Sequence, residues 1–147
     1  MHKEEEKLET AIKNAEKLHG HLGPFLVIGV RIGISAKRIL NLSIEGNGKL
    51  EAEAKIPLLT PFSCILDGIQ ATTSCTIGNQ KLRIENSKKE IAVYFKLQNS
   101  DKTLKMLVNP KIIEKLLNGI SEGASNEELA GEIARMPESQ LFTIEKR

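Results

Sequence analysis

The apolar positions of this chain change their period along its length, and the changes outline its elements. Leu8, Ile12, Ala15 and His19 recur at spacings of four, three and four, which is one face of a helix running from about Glu4 to His19. Gly20 follows, where a helix-ending residue turns left-handed. Pro24 has the fixed φ and missing donor suited to the first position of a new helix. His-Gly-His-Leu-Gly-Pro over 19–24 therefore reads as a tight corner between two helices. The second helix, from Pro24 to about Leu40, is apolar nearly all round in its first half, with Arg31, Ser35 and Arg38 as its polar stripe. That is the pattern of a buried helix, and Gly29, Gly33 and Ala36 would admit another backbone at close range.

At Lys49 the period drops to two. Leu50, Ala52, Ala54 and Ile56 alternate with Lys49, Glu51, Glu53 and Lys55, as in a strand with one wet face. Thr60-Pro61 reads as a helix start, and Ser63–Thr72 as a short helix carrying Cys64, Asp67, Gly68 and Ala71 on one face. Gly78-Asn79 then punctuates the chain before strand-like Lys81–Glu85. A polar turn at Asn86–Lys89 leads into alternating Ile91–Leu97, and Thr103–Val108 continues as the third member of a meander. Pro110 and Asn126 open helices through about Leu117 and Arg135, and Leu141–Ile144 closes the sheet. No repeat, low-complexity tract or long linker divides the chain. The expectation is one α+β domain over 1–147, an N-terminal helix pair packed on a mixed, largely antiparallel sheet of about four to five strands.

Composition narrows the function classes. A formal net charge of +2 makes no electrostatic case for nucleic acid. The most apolar run, Phe25–Ile34, contains Arg31 and is too short to span a bilayer, so no membrane role is expected. The polar N-terminus shows no secretory pattern, and two cysteines do not make a disulfide-stapled scaffold. The cytoplasm, with reduced thiols, is the expected compartment. Abundant Lys and Glu point weakly to a thermophile.

Candidate chemistry is confined to a few side chains. His19 and His21 converge only if the helix ends between them, and imidazole suits zinc, nickel or iron. Cys64 and Cys75 are the two thiols, and Cys75 lies in hydroxyl-rich Thr72-Thr73-Ser74-Cys75-Thr76, whose donors can favour a thiolate. Asp67 can orient a metal-bound histidine, and Arg31 can hold an anion or substrate carboxylate. A plainer reading stands beside each. His19 caps its own helix, His21 is solvated, the thiols are inert core residues or a disulfide pair, Asp67 lies on a wet face, and Arg31 makes a salt bridge.

Taken together, His19-Gly20-His21-Leu22-Gly23-Pro24, Gly29-Val30-Arg31-Ile32-Gly33, Cys64-x-x-Asp67-Gly68-Ile69-Gln70 and Ser74-Cys75-Thr76-Ile77-Gly78-Asn79 resemble the FmdE family of formylmethanofuran dehydrogenase components in order and interval. The resemblance implies an α+β fold, often a homodimer, with a metal near these segments. That metal is usually zinc, with nickel or iron as alternatives. It makes His19, His21, Cys64 and Cys75 the candidate ligands and Asp67 their support. It also implies an association with molybdenum or tungsten formylmethanofuran dehydrogenase, or its cofactor, in methanogenic carbon dioxide reduction. Two departures stand out: Gly23 occupies a position where members usually carry cysteine, and no C-terminal zinc finger follows Arg135. The leading expectation is a metal-binding accessory or cofactor-handling protein. The alternatives are a metal-dependent enzyme acting on a one-carbon or pterin-like substrate, and a metal-free dimeric interaction module.

Overall fold

The computed structural model describes residues 2–42, 49–98 and 100–147, with side chains from Lys7 onward. In chain order the elements are α1 (His2–His19), α2 (Pro24–Ile39), β1 (Leu50–Ile56), α3 (Cys64–Thr73), β2 (Leu82–Asn86), β3 (Ala92–Leu97), β4 (Thr103–Val108), α4 (Pro110–Ser121), α5 (Asn126–Arg135), α6 (Glu138–Leu141) and β5 (Phe142–Lys146). The expected α+β architecture is present as helices on a five-stranded mixed sheet.

Strand order departs from a meander. It runs β2-β1-β3-β4-β5, with β1 parallel to β2 and every other pair antiparallel. The polar stretch after β2 does not fold back as a hairpin. It carries the chain over the end of β1, where the Ser87 amide donates to the Ile56 carbonyl at 2.9 Å. β1 thereby lies between β2 and β3, and β1–α3–β2 becomes a crossover unit, since parallel neighbours need an intervening element to return the chain.

The alternation read in β1 places Leu50, Ala52, Ala54 and Ile56 inward, in register with Phe95 and Val93 of β3 and, beyond them, Leu104 and Met106 of β4. These join Phe25, Ile28, Ile32, Ile65 and Ile69 in the main core. Each large side chain among them contributes about 1.5–3 kcal/mol by leaving water. The other face of the sheet is polar: Lys55 and Lys105 set their ammonium groups 5.3 and 5.7 Å from the Tyr94 ring centre.

The first half of α2 is apolar nearly all round because it is covered on both sides. Ile28 and Ile32 meet the sheet, while Leu26 and Val30 form a separate small cluster with Ala15 of α1. Its tightest neighbour is α3. A methyl group at Gly29 would fall on the Ile65 carbonyl, and one at Gly68 on the backbone of Leu26 and Val30, so the two helices touch main chain to main chain. That contact sets where Cys64 and Asp67 sit. Among the described residues, no helix is long and apolar enough to cross a membrane.

Candidate metal centre

The site is built where α1 ends. Gly20 takes φ +100° and its amide closes the helix on the Glu16 carbonyl at 2.7 Å. This left-handed step, cheap for glycine, turns the chain so that the histidines on either side of it face the same way. Their rings lie 4.4 Å apart between centroids. From the other side, the turn over 61–63 brings in Cys64 as the first residue of α3, shortly after the Thr60-Pro61 step that reads as a helix start in sequence. His19, His21 and Cys64 each place a donor atom within 4.8 Å of the other two. Donors around a tetrahedral zinc ion are about 3.5 Å apart, so about an ångström of side-chain movement closes the set, and exposed His21 is free to make it.

His19 shows what this arrangement demands. Its Nδ1 lies 2.6 Å from Asp67 Oδ2, and its side chain is only 14% exposed. A carboxylate only accepts, so Nδ1 carries the proton, and whenever the ring holds that proton alone Nε2 is left with a lone pair. That Nε2 is buried and has no hydrogen-bond partner. Leaving such an atom unpaired costs about 1–3 kcal/mol. Asp67 is itself braced: Gln70 Nε2 donates to its Oδ1 at 3.0 Å, and Gln70 Oε1 accepts from the Ile77 amide at 3.2 Å. In the sequence Gln70 stands only as the last residue of the Cys64-x-x-Asp67-Gly68-Ile69-Gln70 segment, with no chemistry assigned to it, although its spacing of three from Asp67 on a helix puts the two side chains side by side.

Cys64 is 9% exposed, and burial pushes its thiol pKa up, with the charge of Asp67 adding to the rise. Burial thus favours the thiol over the thiolate, and an ion bound here would have to displace that proton. The donor set, two imidazoles and one thiol with Asp67 orienting the first ring, is chemistry that fits zinc.

The other candidates lie elsewhere. Cys75 is fully buried beyond the far end of α3, where Ser74 turns left-handed at φ 61° and sends the chain into the core. Its Sγ donates to the Leu50 carbonyl at 3.2 Å, and its amide donates to Thr73 Oγ1 at 3.1 Å. Burial raises its pKa despite the Thr73 hydroxyl, so the hydroxyl-rich stretch does not make a thiolate. Both cysteines are free thiols. The structure does not bring Cys75 to the histidines, because the ten residues of α3 separate it from Cys64 by about 15 Å. The same interval is too long for a disulfide. Arg31 is also committed: its Nη1 donates to the carbonyls of Ile133, Ala134 and Met136 at 2.8, 3.3 and 2.6 Å, closing the end of α5. These contacts are to main-chain oxygens, and Glu138 acts on the guanidinium through its charge. Gly23 precedes α2 with φ −156°, which any residue adopts, and a Cβ there would come no nearer than 3.9 Å to Asn126. Backbone and packing alike leave room for a cysteine.

Over 76 residues, 52% of its length, the chain is 32% identical to a probable S-adenosyl-L-methionine-binding protein of Archaeoglobus fulgidus; the match spans 20% of that relative. Its fold resembles the crystal structure of a tungsten formylmethanofuran dehydrogenase FmdE-like protein from Syntrophus aciditrophicus. The TM-score is 0.61 at 16% identity, covering 95% of this chain and 71% of that one. Residues 18–143, from just before His19 to the last strand, match the family described as FmdE, molybdenum formylmethanofuran dehydrogenase operon. The chain belongs to the FmdE family.

Proposed function

We propose that this chain holds one transition-metal ion, zinc by the character of its donors, through His19 Nε2, His21 and Cys64. In that state it serves as an accessory or cofactor-handling protein related to the FmdE component of molybdenum or tungsten formylmethanofuran dehydrogenases. The observation that carries the reading is the buried, partnerless Nε2 of His19, whose ring is fixed by Asp67 in a cluster with His21 and Cys64. A ligand that accepts this lone pair removes a standing cost of folding. Family membership supports the association with formylmethanofuran chemistry.

Bound there, the ion supplies Lewis acidity. The chain's own residues do the rest. With an ion bound, Asp67 would keep the proton on Nδ1, Cys64 would ligate as the thiolate with its proton passing to solvent, and exposed His21 would complete the set. Metal content per chain, measured by plasma mass spectrometry, is expected to be near one. It should fall away in Cys64→Ser and persist in Cys75→Ser. A wild-type protein that carries no metal and takes up none from zinc, nickel or iron would overturn the reading in favour of a metal-free interaction module.

One observation favours an enzyme as the second reading. Among the described residues three donors converge, whereas structural zinc sites use four. An open position on the ion would take water or a small one-carbon or pterin-like substrate. A cobalt-loaded protein whose visible spectrum ignores added cyanide or azide would sink that idea. The protein is also proposed to pair as a homodimer, since Leu18, Leu58 and Leu59, on the segments that carry His19 and lead to Cys64, are about half exposed. A monomeric mass by light scattering would exclude this.

A further inference from the structure

The Ser74–Gln80 segment, whose first six residues belong to the pattern that resembles the family, holds none of the converging donors, yet it is tied to them. Asn79 staples it into a turn: its Oδ1 accepts from the amides of Thr76 and Lys81 at 3.0 Å each, and its Nδ2 donates to the Ser74 carbonyl at 2.7 Å. Gln70 then joins this turn to the candidate metal centre. The orientation of its amide is settled by its two partners. Asp67 Oδ1 accepts only, so Nε2 must face it, and the Ile77 amide donates only, so Oε1 must face that. A continuous chain of hydrogen bonds results, from the Ile77 amide through Gln70 and Asp67 to Nδ1 of His19.

We infer that Gln70 is a positioning residue. It holds the Asp67 carboxylate so that His19 stays in the Nδ1–H tautomer with Nε2 free, and it transmits occupancy of the centre to the Ser74–Gln80 turn. The inference deepens the metal-site reading and rests on it for its second half. Asp67 alone could rotate about its terminal bond and present Nδ1 with either oxygen or neither. With Oδ1 held by an amide fixed at its other end, Oδ2 has one direction left, toward the ring. Fixing the orientation of a ligand in this way is worth about 10–100-fold in metal affinity at well-studied centres.

Two variants separate positioning from a merely structural role. Gln70→Leu removes both hydrogen bonds. Gln70→Glu, studied at pH 8, keeps an acceptor for the Ile77 amide but sets a second carboxylate against Asp67. If Gln70 only staples the turn, Gln70→Glu behaves as wild type. If it positions Asp67, both variants lose the Nδ1–H tautomer of His19 in long-range ¹⁵N spectra of the metal-free protein, and both bind cobalt about tenfold more weakly or worse. In the wild type, zinc should also slow hydrogen exchange at the Ile77 amide, and in Gln70→Leu that response should vanish. A Gln70→Glu protein with wild-type tautomer and wild-type cobalt affinity overturns the inference. Should the wild type bind no metal at all, the metal reading fails separately, and the metal-free tautomer measurement still decides the role of Gln70.

Discussion

The two ends of α3 carry the same functional group in different circumstances. At its start Cys64 meets two imidazoles and an oriented carboxylate. Just beyond its end Cys75 is fully buried and spends its thiol on a strand carbonyl. Both thiols are pushed up in pKa by burial, so acidity does not distinguish them. What differs is convergence. Cys64 faces groups with unused lone pairs, whereas Cys75 faces groups already satisfied by the fold. A thiol in a hydroxyl-rich stretch is therefore weak evidence of reactivity, and a thiol opposite an unpartnered imidazole is stronger.

The comparison breaks most completely at Gly68, since α3 reaches both ends only while its middle touches α2. Gly68→Val sets three carbons against the backbone of Leu26 and Val30 and should cost about 3 kcal/mol, the upper range for overpacking, in urea unfolding. Cobalt binding should go with it. The two cysteines come next and should divide cleanly. Cys64→Ala is expected to weaken cobalt binding more than about a hundredfold and abolish the thiolate-to-metal absorption, with little change in stability. Cys75→Ala should leave that absorption intact and cost about 1–2 kcal/mol for the lost packing and hydrogen bond. An equal loss of binding in both would end the distinction between the two ends.

Asp67→Asn sharpens the first end alone. An amide still reaches Nδ1 but does so without charge, and about a tenfold loss of cobalt affinity is expected by absorbance titration. The smallest effect serves as a control away from both ends. Burial opposes ionisation of Glu138, but the Ser35 hydroxyl and the Arg38 guanidinium, which approaches it at 2.7 and 2.8 Å, outweigh burial and hold its carboxyl below the usual range. A carboxyl depressed in the folded state adds stability above its unfolded pKa and loses it as pH falls through the folded value. Glu138→Gln should flatten acid unfolding slightly and leave metal content unchanged.

Much of this is legible in the chain. The 3.6 and 2.0 periods locate the helices and strands within a few residues, because each element has one face that must leave water. Strand order is not legible: alternation says which way a side chain points, never which strand lies beside it, so nothing in it shows β1 entering between β2 and β3. The corner at Gly20 is readable from Gly and Pro alone, and with it the chance that His19 and His21 converge. The sequence places a helix over Ser63–Thr72 yet keeps Cys64 and Cys75 together as candidate ligands, and it is the structure that sets them at opposite ends of α3. Sequence offers Asp67 as the group that orients a histidine but does not say which ring, because Asp67 and Gln70 come to His19 only after the glycines of α2 and α3 let the two backbones touch.

The burial of α2 on both sides has a consequence for synthesis of the chain. A ribosome delivers α1 and α2 before any strand of the sheet, and α1 covers the Leu26–Val30 side at once. The opposite side, with Ile28 and Ile32, waits for a sheet in which β1 finds its neighbours only at residues 82–86 and 92–97. For that interval a strongly apolar helix stands half covered, the circumstance in which nascent chains associate wrongly. Late closure by non-local strand pairing is also slow. Yield in a cell should therefore depend on elongation rate and chaperone supply more than the finished protein's stability would suggest.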